Sequence, residues 1–225
     1  MITAWPCPGA PDGEFAHGLD RGRRRRVLIV PPLFDEMHRG RHLLVSAMRA
    51  LDAQGIDSML PDLPGTGESL QALAAQSLFG WRSAMAAAAR HFRATHVLAV
   101  RGGVLVFPNV LPGWVLDPVS GQAVLRQMLR ARLMSLREAG QTASLAELLE
   151  LGRNDGLVLA GYDLGAAMIA GLDAARPLDE GQRELRSAEL GGQAPWLRAE
   201  AGDDAAAGAR LAGLMLADLI HEVGR

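Results

Sequence analysis

The residue with the most chemical consequence in this 225-residue chain is Arg101, because of what precedes it. A short β-type run ends in Asp62-Leu63-Pro64-Gly65-Thr66-Gly67-Glu68-Ser69, a D-x-x-G-x-G-x-S turn that glycines make easily. Such a turn leads one to expect a second strand, some tens of residues on, that ends in a G-x-S-x-G nucleophile elbow. The strand is present at 95–100, but the elbow reads Ala99-Val100-Arg101-Gly102-Gly103. Arginine stands where the nucleophile belongs. Its guanidinium stays protonated, with a pKa above about 12, and offers no lone pair for attack.

The other parts of a Ser-His-acid triad are equally scarce. Ser120 and Ser135 come later but lie on no strand-to-helix elbow. Asp117 is either the acid or, by the preferred reading, a carboxylate capping the helix after Pro118. The only late histidine is His221, in the last turn of a C-terminal helix, where it suits the helix dipole better than catalysis. Asp35, Glu36, His38 and His42 form the one local cluster with metal-like spacing. It lacks H-E-x-x-H, and acids in a first helical turn are what the macrodipole favours, so no metal and no cofactor is expected.

Three fates are open to Arg101. It pairs with Asp35 or Glu36 and plugs a dead site, it holds an anionic ligand by bidentate contacts, or it points to solvent. The loop 31–38 is expected to reach the same spot, at the C-terminal end of a central strand where open α/β sheets bind ligands.

The elements that must position these residues read as alternating strands and helices. Residues 1–14 are irregular or a short edge hairpin. Strands are expected at 27–30, 56–61, 96–100, 113–118 and 156–160, and a further one at 184–190. Helices are expected at 41–54, 80–93, 121–139, 143–152, 163–175 and 203–223, the last N-capped by Asp203 or Asp204. The strands are apolar on both faces, which predicts a mainly parallel sheet covered on both sides. Strands 27–32, 56–61, 96–100 and 113–117 should be neighbours in it. Only 103–112 separates the elbow from the next strand, so at most two helical turns fit where a helix N-terminus would support an oxyanion. Gly65 and Gly67 serve the turn and are no phosphate cradle, since G-x-x-x-x-G-K-[ST] is absent. The apolar helix within 121–152 is expected to form a lid, or else a dimer face. Trp196, beside Pro195, reads as a core or edge plug.

Composition narrows the classes. An apolar content of 49% supports one large domain, and a net charge of −2 gives no pull toward nucleic acid or anionic membrane. The basic run from Arg21 to Arg26 reads as a solvated turn rather than a phosphate site. The single Cys7 excludes a disulfide frame and fits a reducing cytoplasm. No apolar run reaches 18 residues and no signal-type segment opens the chain. Abundant arginine and alanine fit a GC-rich bacterial genome.

The order Pro31-Pro32-Leu33-Phe34-Asp35-Glu36-Met37-His38-Arg39, then PDLPGTGES, then the degenerate elbow, resembles the α/β-hydrolase superfamily. More narrowly, residues 14–175 resemble the exosortase A system-associated hydrolases of the second type. Trp114-Val115-Leu116-Asp117-Pro118-Val119 before a helix and Ala160-Gly161-Tyr162-Asp163-Leu164 opening another add to the match. That family tends to carry arginine at the elbow. This chain departs from it with His38 in place of asparagine, with the shortened 103–112 segment, and with a C-terminal third too brief for the usual last two strands. The resemblance implies a link to exopolysaccharide production and PEP-CTERM protein sorting.

Three functions follow as expectations. The first is a catalytically degenerate hydrolase-fold protein that binds a small anionic ligand or a protein partner. The second is an enzyme with a rearranged site, Glu36 acting as base on a water and Arg101 as anion stabiliser. The third is a homo-oligomeric scaffold built on the 121–151 helices. For want of a nucleophile, fluorophosphonate probes should label no serine in the purified protein. Stoichiometric labelling mapped by mass spectrometry to one serine would overturn that expectation.

Overall fold

The computed structural model describes residues 1–108, 111–177, 181–198, 202 and 204–223. Seven strands form one sheet, β1 (Ile2–Cys7), β2 (Ala10–Leu19), β3 (Arg26–Val30), β4 (Asp57–Pro61), β5 (His96–Val100), β6 (Gly113–Leu116) and β9 (Arg183–Leu185). Their order across the sheet is β1-β2-β4-β3-β5-β6-β9. β1 and β2 are the edge hairpin, and β2 runs antiparallel to β4. From β4 to β9 every pairing is parallel. The four strands expected to be neighbours are therefore consecutive. One parallel strand follows β6 in this sheet among the described residues, and it is short: 183–185 pairs, while 187–190 turns into a 3-10 segment.

The period-2 alternation of the strands divides them between two cores. Val27, Ile29, Leu98 and Val100 face α1 (Asp35–Ala53) and α6 (Ala205–Val223). Leu28, Val30, Val97 and Ala99 face α2 (Leu78–His91), α3 (Gly121–Glu138), α4 (Leu145–Asp155) and α5 (Ala166–Ala174). All eight are fully buried, and each such side chain stabilises by about 1.5–3 kcal/mol, less for alanine.

The remaining differences from the sequence reading have local causes. The segment at 156–160 does not join the main sheet. β7 (Leu157–Leu159) folds back antiparallel onto β8 (Tyr162–Leu164), turning at Ala160 and Gly161, both at positive φ. That pairing takes Tyr162 to Leu164 out of the expected helix, which starts at Ala166. α1 begins at Asp35, six residues before its apolar stripe, with both acids in its first turn. Asp203 lies outside the described residues. Asp204 sends its carboxylate to Arg198 at 2.5 Å. The basic run is not simply solvated: Arg21 and Arg23 grip Asp52, while Arg23 and Arg26 grip the fully buried Asp57 and Arg26 also holds Asp20. The Arg26 guanidinium holds the Asp20 carboxyl down at about 2.

The D-x-x-G-x-G-x-S turn is built from buried carboxylates. Asp62 accepts from the Glu68 N–H at 3.1 Å, and Gly67 lies so close to that carboxylate that no side chain would fit. Ser69 Oγ accepts from Gly65 N at 2.8 Å and donates to Glu14 Oε1 at 2.8 Å. Trp81 Nε1 donates to Pro64 O at 2.9 Å. Glu14 is 1% exposed, and its Oε2 has no partner among the described residues. Burial pushes its carboxyl above the ordinary range. The Ser69 hydrogen bond opposes that shift, and the Asp62 charge adds to it. Because the folded-state pKa exceeds the unfolded one, protonated Glu14 favours folding, and that contribution is lost as pH rises through the folded value. Glu14→Gln should therefore melt higher than the parent, by a margin near zero at about pH 4 that grows toward neutrality. A pH-independent difference in thermal unfolding would refute this.

Candidate functional site

The connections from β3 and β4 leave the sheet on opposite faces, through α1 and α2 respectively, so a crevice opens where the C-terminal ends of β3 and β5 diverge. Residues 31–34 cross it from β3, and Arg101 stands on its floor at the end of β5. Arg101 has a φ of 54°, which is rare for a bulky side chain. Gly102 and Gly103 make that bend pack: a Cβ on Gly103 would be driven into the Pro31 carbonyl, and one on Gly102 would sit 3.0 Å from Leu33 Cγ and 3.2 Å from Val124 Cγ2. The loop from β3 and helix α3 thus close directly over the elbow. Residues 101–106 continue as a buried 3-10 segment rather than an α-helix, as the short 103–112 interval requires.

The guanidinium of Arg101 is consumed by its surroundings. Nη2 donates to Glu36 Oε1 at 3.0 Å, Nε to Oε2 at 3.2 Å, and Nη1 to the Asp117 carbonyl at 3.2 Å. Its carbon lies 5.2 Å from the centre of the Trp196 ring, a cation–π contact on one face. Exposure is 19% for the Arg101 side chain and 13% for that of Glu36. Of the two acids that could meet the arginine, Glu36 does so. Asp35, one position earlier on the helix, points elsewhere and pairs with Arg39 at 2.6 Å, one turn on.

Asp117 does not cap α3. Ser120 does, accepting from Ala123 N at 3.2 Å. Asp117, at φ 45°, turns its carboxylate to the Ser187 N–H at 3.1 Å and so ties β6 to the segment after β9. His38 and His42 both lie on α1, yet they diverge in role. His42 Nδ1 accepts from Asp204 N at 3.0 Å, while His38 is exposed at the rim of a second cleft with Arg41 and Asp62. Among the described residues, no group of three His, Cys, Asp or Glu side chains is placed to hold a metal ion. His221 lies exposed in the last turn of α6.

Beside the ion pair lies a cavity of about 300 Å³, walled by Leu33, Phe34, Val124, Met128 and Ala131, with Asp35, Glu36, Arg39, Gln127 and Tyr162 as its polar groups. Burial and the Asp35 charge raise the Tyr162 phenol above its ordinary pKa, and its ring meets Phe34 edge-on at 5.3 Å. Sequence reasoning missed this half of the site. Tyr162 and α3 reach it only through the β7–β8 hairpin and the α3 crossing. Trp196 was flagged as a plug, but nothing local tells which charge it covers.

No known family pattern matches the chain, and no curated protein sequence does. Among solved structures it is similar to alpha/beta hydrolase domain-containing protein 10 from mouse, with a TM-score of 0.52, 12% identity, and coverage of 77% of this chain and 69% of that one. It also aligns with the epoxide hydrolase of Vigna radiata (TM-score 0.40, 16% identity, 53% of this chain and 40% of that one). Potato epoxide hydrolase I aligns comparably (TM-score 0.42, 17% identity, 52% and 39%). The chain spans only about two fifths of either epoxide hydrolase. The mainly parallel seven-stranded sheet with helices on both faces, together with the likeness to the mouse protein, gives this chain an α/β-hydrolase-like fold.

Proposed function

We propose that this chain is a catalytically silent α/β-hydrolase-fold protein whose former active-site crevice serves binding or partner recognition. The observation that supports it is Arg101: it occupies the nucleophile position, and its hydrogen bonds go to Glu36 and Asp117 rather than toward an open reaction centre. Leu33 and Val124 pack against Gly102, next to Arg101, so closely that a Cβ there would sit 3.0–3.2 Å from them. The motif resemblance of residues 14–175 supports assigning the protein to an exosortase-linked exopolysaccharide system in the cytoplasm. Among the described residues no helix is long and apolar enough to cross a membrane. In this reading α3 and α4 form a lid-like insertion within a single domain, with α3 as the cover.

The rival enzymatic reading needs Arg101 to stabilise an anion while Glu36 activates a water, whereas Nε, Nη1 and Nη2 of Arg101 already donate to Glu36 and the Asp117 carbonyl. Activated acyl esters and thioesters should show no turnover above background with the purified protein. Turnover that disappears in Glu36→Gln would sink the proposal in favour of the enzyme. A scaffold role for the α3 and α4 faces would instead show as a stable oligomer at micromolar concentration in sedimentation.

Arg101→Ser tests the ion pair itself. It restores the letter of the elbow but leaves Glu36 as an unpaired, mostly buried carboxylate, and no histidine stands ready to activate the new hydroxyl. Removing one partner of a buried pair costs about 3–5 kcal/mol, and the residual exposure here points to the lower end, about 3 kcal/mol. Chemical denaturation should show that loss, with no gain of esterase activity. Unchanged stability would mean that the pair carries no weight.

A further inference from the structure

We infer that the cavity beside Arg101 takes an apolar molecule whose polar end donates hydrogen bonds, an alcohol or an amine, and rejects carboxylates and phosphates. This rests on the reading of the crevice as a binding site and gives its ligand class. A lone arginine at the end of a central strand suggests an anion site, but the positions of the donors contradict that. Arg101 is not on the cavity wall. Its Nε, Nη1 and Nη2 are all engaged, and one face is covered by Trp196. The one cation that does line the cavity, Arg39, already has a counter-charge: Nη2 is on Asp35 at 2.6 Å, and Nη1 donates to the Trp196 and Arg198 carbonyls at 3.4 and 3.2 Å.

The acceptors are in surplus. Each carboxylate offers about four lone-pair directions. Asp35 uses one oxygen on Arg39, and Glu36 spends both oxygens on the single guanidinium of Arg101 without exhausting them. The Tyr162 hydroxyl, which can accept as well as donate, lies on the same wall. An anion entering here would face two carboxylates against one lining guanidinium that already has Asp35 as its counter-charge, so little would offset its lost hydration. A hydroxyl or ammonium group finds waiting acceptors, and the rings of Phe34 and Tyr162 suit an ammonium further. The remaining wall of Leu33, Val124, Met128 and Ala131 is apolar. A volume of about 300 Å³ holds about ten groups of water size, enough for a six-carbon chain and its head.

Three probes sharing one chain, hexan-1-ol, hexylamine and hexanoate, separate the classes by isothermal titration at pH 7. The alcohol and the amine should bind at least tenfold more tightly than hexanoate. Val124→Trp, which enlarges a half-buried wall residue of α3 that faces inward against Gly102, should abolish their binding. Glu36→Gln, which removes one of the two wall carboxylates, should weaken amine binding and narrow the preference over hexanoate. Hexanoate binding as tightly as the other two would overturn the ligand class while leaving a binding function standing. Binding that survives Val124→Trp, or no binding by any of the three, would overturn the site as drawn. None of these outcomes depends on ester turnover, which decides separately whether the protein is silent.

Discussion

The ion pair between Arg101 and Glu36 is the constraint on which this end of the molecule depends. A guanidinium fixed at the end of a central parallel strand cannot be left in the low-dielectric interior without a counter-charge. Meeting it requires α1 to begin early enough to bring Glu36 over the sheet, in a first turn where a carboxylate also suits the helix dipole. It requires the β6 end to turn at Asp117 so that a carbonyl faces Nη1, and the segment 195–197 to lay an indole on the guanidinium. Three separate stretches of chain thus converge on one side chain. A buried pair of this kind is weak evidence for net stability compared with an apolar plug. Its clearer effect is to define where α1, β6 and Trp196 must sit.

A second polar construction stabilises the neighbouring wall. The glycine-rich turn after β4 places Asp62 and Ser69 against Glu14 of β2, so the edge hairpin is bound to the crevice through buried oxygens. Two carboxylates raised by burial sit near each other there. Local stability is thereby given up in this turn. Here it borders a cleft of about 200 Å³ with His38 and Arg41 on its rim. At the opposite end of the strands the charges are used conventionally, with Arg23 and Arg26 neutralising the buried Asp57 and joining β3 to β4.

Chemistry and shape point the same way. The bend at Arg101 has a positive φ and two close-packed glycines after it, and the side chain at its apex is a paired charge. The backbone bend persists because β3, β5 and the 31–34 loop pack through it. The side chain at its apex can change so long as its charge is met.

The sequence by itself determined the sheet and excluded the residue at 101 as a nucleophile. Apolar runs such as 27–30 and 96–100 can only be buried on both faces, and an arginine at position 101 cannot attack a carbonyl. Those properties are local and follow from residue type. It also narrowed the partner of Arg101 to two adjacent acids, but helical phase alone could not choose between Asp35 and Glu36, since the start of α1 was not legible from its apolar stripe. Only the tertiary structure decided that Glu36 faces inward and Asp35 turns to Arg39. The β7–β8 hairpin, the cap of α3 by Ser120, and the cavity shared by Tyr162 and α3 were likewise decided in three dimensions. Each depends on contacts between segments tens of residues apart, whose energies no window of sequence contains.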